Sequence, residues 1–143
     1  VSCMVMGGHG PAMIPLTRTA TVGGIPIQTL LSEEKIEEIV ERTRHAGTEI
    51  VQLLGHGSAY ISPASAIMEM VEAYLYDKKR LISSSVLCEG EYEINDCFIG
   101  VPCVIGVGGV ERIVEMELTE GEQNQLNHNY QILQENLQKL DDL

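Results

Sequence analysis

The sequence contains no tryptophan and a single phenylalanine, Phe98. Single-stranded nucleic acid is held by stacking bases on aromatic side chains, and aromatics make up only 4% of this chain. Basic residues are scarce as well: 9 Lys and Arg stand against 21 Asp and Glu, a formal charge of −12. Such a chain is repelled by phosphate backbones and anionic lipid, so neither nucleic acid nor a membrane surface is an expected partner. No apolar run approaches the roughly 20 residues that a membrane-spanning helix needs. The opening text, VSCMVMGGHG, lacks the basic start and cleavage site of a secretory signal. The four cysteines, Cys3, Cys88, Cys97 and Cys103, include no C-x-x-C pair. Zinc sites depend on such close pairs, so no metal centre is expected. Reduced, mostly buried thiols fit a cytoplasmic protein.

What is present fits one folded domain. The chain has 143 residues, 44% of them hydrophobic and 21% charged, enough to bury a core without staples. Val1–Met6 is apolar and partly β-branched, the pattern of a buried strand, and it stops at Gly7-Gly8-His9-Gly10-Pro11. A buried strand at the start implies that further sequence precedes it. Residues 13–27 predict one or two short strands bent at Gly23-Gly24. Residues 30–54 predict a helix with Ser32 as N-cap, Glu33 and Glu34 in its first turn, and Gly55 past its end. Ile36, Ile39, Val40, Thr43, Ile50, Val51 and Leu54 form its apolar stripe, and Gly47 should bend or weaken it.

A second helix is expected from about Pro63, with Ala64, Ile67, Met68, Val71 and Leu75 facing inward and Asp77-Lys78-Lys79-Arg80 closing it. Residues 81–87 and 98–105 read as strands, the latter an edge or bulged strand because Pro102 cannot donate to a ladder. Thr119 caps a last, polar helix over 120–140 with Leu126, Tyr130, Leu133, Leu137 and Leu140 as its stripe. The fold class is therefore α+β, with no repeat and no linker.

The candidate chemistry is sparse. Gly106-Val107-Gly108-Gly109-Val110-Glu111 follows a strand but has Glu where the dinucleotide fingerprint needs its last glycine, so it reads as a turn and not as part of a Rossmann domain. His45 and His128 sit on polar helix faces. His56 ends a helix between two glycines, and no spacing supports a metal site shared by His9 and His56. His9 stands apart: it sits at a strand end between Gly8 and Gly10, an open setting for an imidazole able to move protons near neutral pH. On spacing alone a turn histidine is the favoured reading.

The texts GGHGPAMIPL and TVGGIPI resemble the opening of the C-terminal domain of NAD-dependent malate and lactate dehydrogenases. The likeness continues in order through ERTRHAGTEIV, GSAYISPASA, LCEGEYEINDCFIGVPCVIG and GVERIVEMELTEGE, nearly the whole chain. It is greatest to the lactate-dehydrogenase-like malate dehydrogenases. The resemblance implies a twisted antiparallel sheet with packed helices, a substrate-binding and catalytic C-terminal domain over 1–143. A separate upstream domain would hold most of the NAD. It implies that His9 is the catalytic acid/base, that Ala59 and Ser58 border the substrate, and that Pro63 packs near the nicotinamide ring. The aspartate that orients the histidine and the arginine that clamps the substrate carboxylate lie upstream of it in the family. Pro11 stands where the family commonly has an acidic or polar residue, removing a backbone donor next to the histidine loop. A small 2-hydroxy or 2-oxo acid is the implied substrate, and a homodimer or homotetramer the implied assembly. A lactate dehydrogenase parent, or a non-catalytic truncated assembly module, are the alternatives. Alone, the chain is expected to be inactive and to self-associate.

Overall fold

The computed structural model describes residues 1–141. The chain begins with β1 (Val5–Gly7), a tight 3-10 turn over Gly10–Ala12, and β2 (Met13–Pro15). A small hairpin follows, β3 (Thr21–Val22) and β4 (Ile25–Pro26), turning on Gly23 and Gly24 at positive φ of 58° and 86°. One helical turn, α1 (Ile27–Leu30), leads to α2 (Glu33–Leu54) and α3 (Ile61–Leu75). Then come β5 (Arg80–Glu89), β6 (Asn95–Gly106), β7 (Gly109–Ile113) and α4 (Glu120–Asp141).

The main sheet is antiparallel throughout, in the order β2-β1-β6-β5, with β7 also pairing β6. β5 and β6 form its backbone, in register from Arg80 opposite Ile105 to Cys88 opposite Cys97. Their period-2 pattern sends Val86, Cys88, Cys97, Ile99, Val101, Cys103 and Ile105 into one core. Ala73 of α3 and Leu126 of α4 close that core, with Met6, Ile14, Leu16, Tyr92 and Ile94. All four cysteines are free thiols, three of them buried.

Several expectations need correction. Val1 is 94% exposed, and the first strand starts only at Val5, because Ser2 pairs as an isolated bridge with Thr21 instead. β6 is central, not an edge. Pro102 is tolerated because its carbonyl, and hence its ring nitrogen, faces the flank between β1 and β7, where the carbonyl accepts from Val114 N–H at 2.8 Å. The β5 ladder loses nothing. The bulge lies instead against β7, between Val104 and Ile105. The glycine text at 106–109 is the β6–β7 hairpin turn.

Ser32 caps α2 by accepting from Lys35 N–H, and Gly55 ends it at φ 73°, while Gly47 leaves the helix unbroken. Of the expected stripe only Ile36 is buried. α3 starts at Ile61, two residues before Pro63. The residues expected to face inward, Ala64, Ile67, Met68, Val71 and Leu75, are exposed, and Ala73 is the buried one. The apolar stripe of α3 is real but points away from this core. In α4, Leu126 is buried, Tyr130 and Leu133 are half-buried and Leu137 is exposed. The Leu140 side chain lies outside the described residues.

Candidate active site

His9 stands between β1 and the 3-10 turn, and the loop carrying it is held against the sheet from below. Gly7 pairs with Gly100 of β6, and a Cβ at Gly100 would lie 2.4 Å from the Gly7 carbonyl oxygen. Any side chain there would push β1 off the sheet. Gly7 itself has φ 79° and no room for a Cβ, which would meet Ala12 O at 2.8 Å. Pro11 lies inside the 3-10 turn, near its start, where its missing N–H costs no helical bond, so the departure from the family text is absorbed.

Two helices grip the loop from the sides. Arg44 of α2 donates its Nε–H to Met13 O at 3.3 Å. Asn129 of α4, buried, accepts from Gly8 N–H through Oδ1 at 3.3 Å and donates Nδ2–H to Gln125 O at 2.9 Å. His9 itself stays exposed, and it enters none of the ion pairs among the described residues.

A cavity of about 500 Å³ opens beside the imidazole, walled by the His9 loop, by Arg44, Thr48 and Gln52 of α2, and by Ala59. The fold thus brings His9 and Ala59, 50 positions apart, to one space. Ser58 is exposed and borders a neighbouring cavity of about 270 Å³ that shares Ala59. Pro63 is exposed in the first turn of α3 and touches neither cavity. A second hollow of about 440 Å³ lies on the sheet side of His9, lined by Ser83, Ser85, Phe98 and Gly100 among others.

His56 is exposed between Gly55 and Gly57, and His128 is exposed on α4. His45, which the sequence places on a solvated face, also borders the His9 cavity, with Nε2 3.1 Å from Glu41 Oε1. Among the described residues no group of three or more His, Cys, Asp or Glu is arranged to hold a metal ion.

Charge and hydrogen bonding stiffen the frame around the site. Burial pushes the Glu122 carboxyl up, but bonds from Thr119 and Arg18 outweigh it and hold the group below its usual range. Glu122 in turn fixes the first turn of α4, the helix that carries Asn129. At the far end of β6, Val107 N–H and then Lys79 hold Asp77 below the usual carboxylate range. Sequence reading missed Asn129, which carries no local signal because its partner lies 121 positions away. Gly100 was missed as well, although an isolated glycine in a strand is a signal of close backbone approach.

The α/β C-terminal domain of lactate/malate dehydrogenases matches residues 1–143. The chain belongs to that family. A malate dehydrogenase of Chlorobium phaeobacteroides is 48% identical over 143 residues, covering 100% of this chain and 46% of that protein. A malate dehydrogenase of Shouchella clausii is 50% identical over 131 residues, 92% of this chain and 42% of that protein. Among solved structures, the malate dehydrogenase of Salinibacter ruber superimposes with a TM-score of 0.96 at 48% identity, covering 100% of this chain and 47% of that one. The lactate dehydrogenase of Eimeria maxima with NADH and oxamate gives 0.92 at 42% identity, covering 99% and 44%. The chain spans less than half the length of these family members. No helix among the described residues is long and apolar enough to cross a membrane.

Proposed function

We propose that residues 1–143 are the substrate-binding and catalytic half of an NAD-dependent malate dehydrogenase, with His9 as its acid/base. The observation that carries this reading is one cavity bordered by both His9 and Ala59, with the histidine loop anchored on three sides. The family supplies the reaction, and this geometry suits it.

In the oxidising direction the neutral imidazole of His9 takes the proton of the C2 hydroxyl as the C2–H bonding pair leaves as hydride and the C2–O bond becomes a carbonyl. In the reducing direction the imidazolium returns that proton to the carbonyl oxygen. NAD, when bound, supplies the hydride acceptor. The residues here fit only its reactive end. Pro63 offers small uncharged surface for the nicotinamide ring, whereas the glycines at 106–109 turn a hairpin and open no helix on which a pyrophosphate could sit. Most of the cofactor contact, and the aspartate and arginine that orient histidine and substrate, belong to a preceding domain. The 143 residues by themselves are therefore inactive in this reading. Ser58, bordering the adjoining hollow, would shape the substrate pocket indirectly.

The exposed apolar surface of α2 and α3 supports a homo-oligomer, with that surface against the nucleotide domain or a second subunit; the four free thiols suit the cytoplasm. The likeness to lactate dehydrogenase structures keeps pyruvate as the second candidate substrate, and the ratio of oxaloacetate to pyruvate reduction separates the two.

The deciding experiment is His9→Asn in the full-length enzyme. It should lower turnover by about 10²–10⁴, the usual worth of a positioned proton carrier, and leave NADH affinity nearly unchanged. Asn substitutions at His45, His56 and His128 should each leave the rate within about threefold. Activity surviving His9→Asn, or lost in His45→Asn, refutes the assignment.

A further inference from the structure

We infer that Asn129 is a positioning residue for His9, an inference that rests on the proposed role of that histidine. Asn129 lies in the middle of α4, a position where asparagine is a poor helix former. It is nevertheless buried, at 8% exposure, beneath the histidine loop. Its amide spans two elements. Nδ2–H is satisfied within α4 by Gln125 O at 2.9 Å, which leaves Oδ1 aimed outward at Gly8 N–H, 3.3 Å away. Gly8 N–H also points to Ala12 O at 3.2 Å, so the bond is shared between the loop's own turn and α4.

That N–H belongs to the residue immediately before His9. Whatever fixes the Gly7–Gly8 peptide plane fixes the direction in which the chain enters the histidine. The fit around this contact is close. A Cβ at Gly8 would lie 3.1 Å from Asn129 Oδ1, and one at Gly7 would lie 3.2 Å from Nδ2. The two glycines thus let the amide seat flush against the backbone. Leu126, fully buried one turn earlier, fixes the height of α4 above the loop. The opposite side of the loop is tied by Arg44 at Met13 O, so removing Asn129 loosens the entry to His9, where Gly8 N–H keeps only the turn's own bond to Ala12 O, and leaves the exit held.

The test uses the full-length enzyme. Asn129→Leu keeps the bulk and loses both bonds. Asn129→Asp keeps an acceptor oxygen for Gly8 N–H and puts a second carboxyl oxygen in place of the donor to Gln125 O. The Leu variant should lower kcat for malate oxidation about tenfold, as small misplacements of reacting groups do, with KM for NAD within twofold. The Asp variant should return kcat to within threefold of wild type, and exchange of the Gly8 amide proton should accelerate in the Leu variant only. A folded Leu variant with kcat within twofold of wild type overturns the inference, as does an Asp variant no better than Leu. If the Leu variant does not fold, Asn129→Ser decides: Gly8 amide exchange faster than in wild type supports the anchor, and exchange at the wild-type rate overturns it. A wild-type enzyme without malate or lactate turnover refutes the dehydrogenase reading, and the Gly8 exchange rate still decides whether Asn129 holds the loop.

Discussion

The sheet half of the molecule and the α2–α3 arm both carry apolar residues at regular spacing, every second residue in the strands and every third or fourth in the helices, and reach opposite outcomes. In the sheet half, β1, β2, β5, β6 and α4 bury Met6, Ile14, Cys88, Val101, Cys103 and Leu126 almost completely. In the arm, over 33–75, only Ile36 and Ala73 are buried, while Leu53 is 81% and Ile61 79% exposed. Each region presents one apolar face at the period of its own elements. The lesson is that periodicity identifies a face that must be covered, and does not say by what. His9 belongs to the first region through Gly7, Gly100 and Asn129, and faces the second through Ala59. The proposed site is therefore a rigid loop opposite a surface awaiting its neighbours.

The same deletion made on either side should break this comparison most visibly. Leu126→Ala, at a side chain with no exposure, should cost about 2–5 kcal/mol in urea denaturation. Leu53→Ala in the arm should stay within about 0.5 kcal/mol. A Leu53→Ala loss approaching that of Leu126→Ala would show that the arm is covered in solution.

A smaller but more local effect is expected where the loop crosses the sheet. Gly100→Ala places a methyl 2.4 Å from the Gly7 carbonyl oxygen, so β1 must shift. Overpacking of this kind costs about 1–3 kcal/mol, and here it should also reduce turnover in the full-length enzyme because His9 moves with β1. A variant with wild-type melting temperature and wild-type kcat would mean that the crossing is looser than this geometry.

The smallest effect should appear in alkali, and only in the sheet half. Burial, with a lesser contribution from Glu91, pushes the Cys88 thiol from 9.0 up to about 11. The folded state then holds this proton more tightly than the unfolded one. Its contribution is constant below about pH 9 and is lost as pH rises from about 9 to about 11, where the unfolded thiol ionises first. Cys88→Val should flatten that part of the stability profile relative to wild type. An unchanged alkaline slope would place the loss on other groups.

Much of this was readable in the chain text. Ser32 and Gly55 bound α2 because capping is local chemistry between near neighbours. Gly23-Gly24 turn a hairpin because only residues tolerant of positive φ can. GGHG marked the histidine loop, since a tight turn leaves its signature in consecutive residues. The errors fell where the partner of a residue is distant. Pro102 read as an edge position although β6 is central, because the gap between β1 and β7 that accommodates it forms only when segments about 100 residues apart meet. The inward face of α3 was misassigned because its stripe Ile67, Met68, Val71 and Leu75 is as apolar as a core, yet α3 contributes only Ala73 to this one.

By itself the sequence determined the α+β class, the ends of α2, the turn glycines and an imidazole set in an open loop after a strand, because each depends on backbone geometry over a few residues. Only the tertiary structure decided that Gly100 must be bare, that Asn129 bonds Gly8 and that His9 and Ala59 face one cavity. Contacts across 50 to 121 positions are made by packing and strand pairing, and a hydrogen bond between distant residues leaves no trace in the local spacing of either partner.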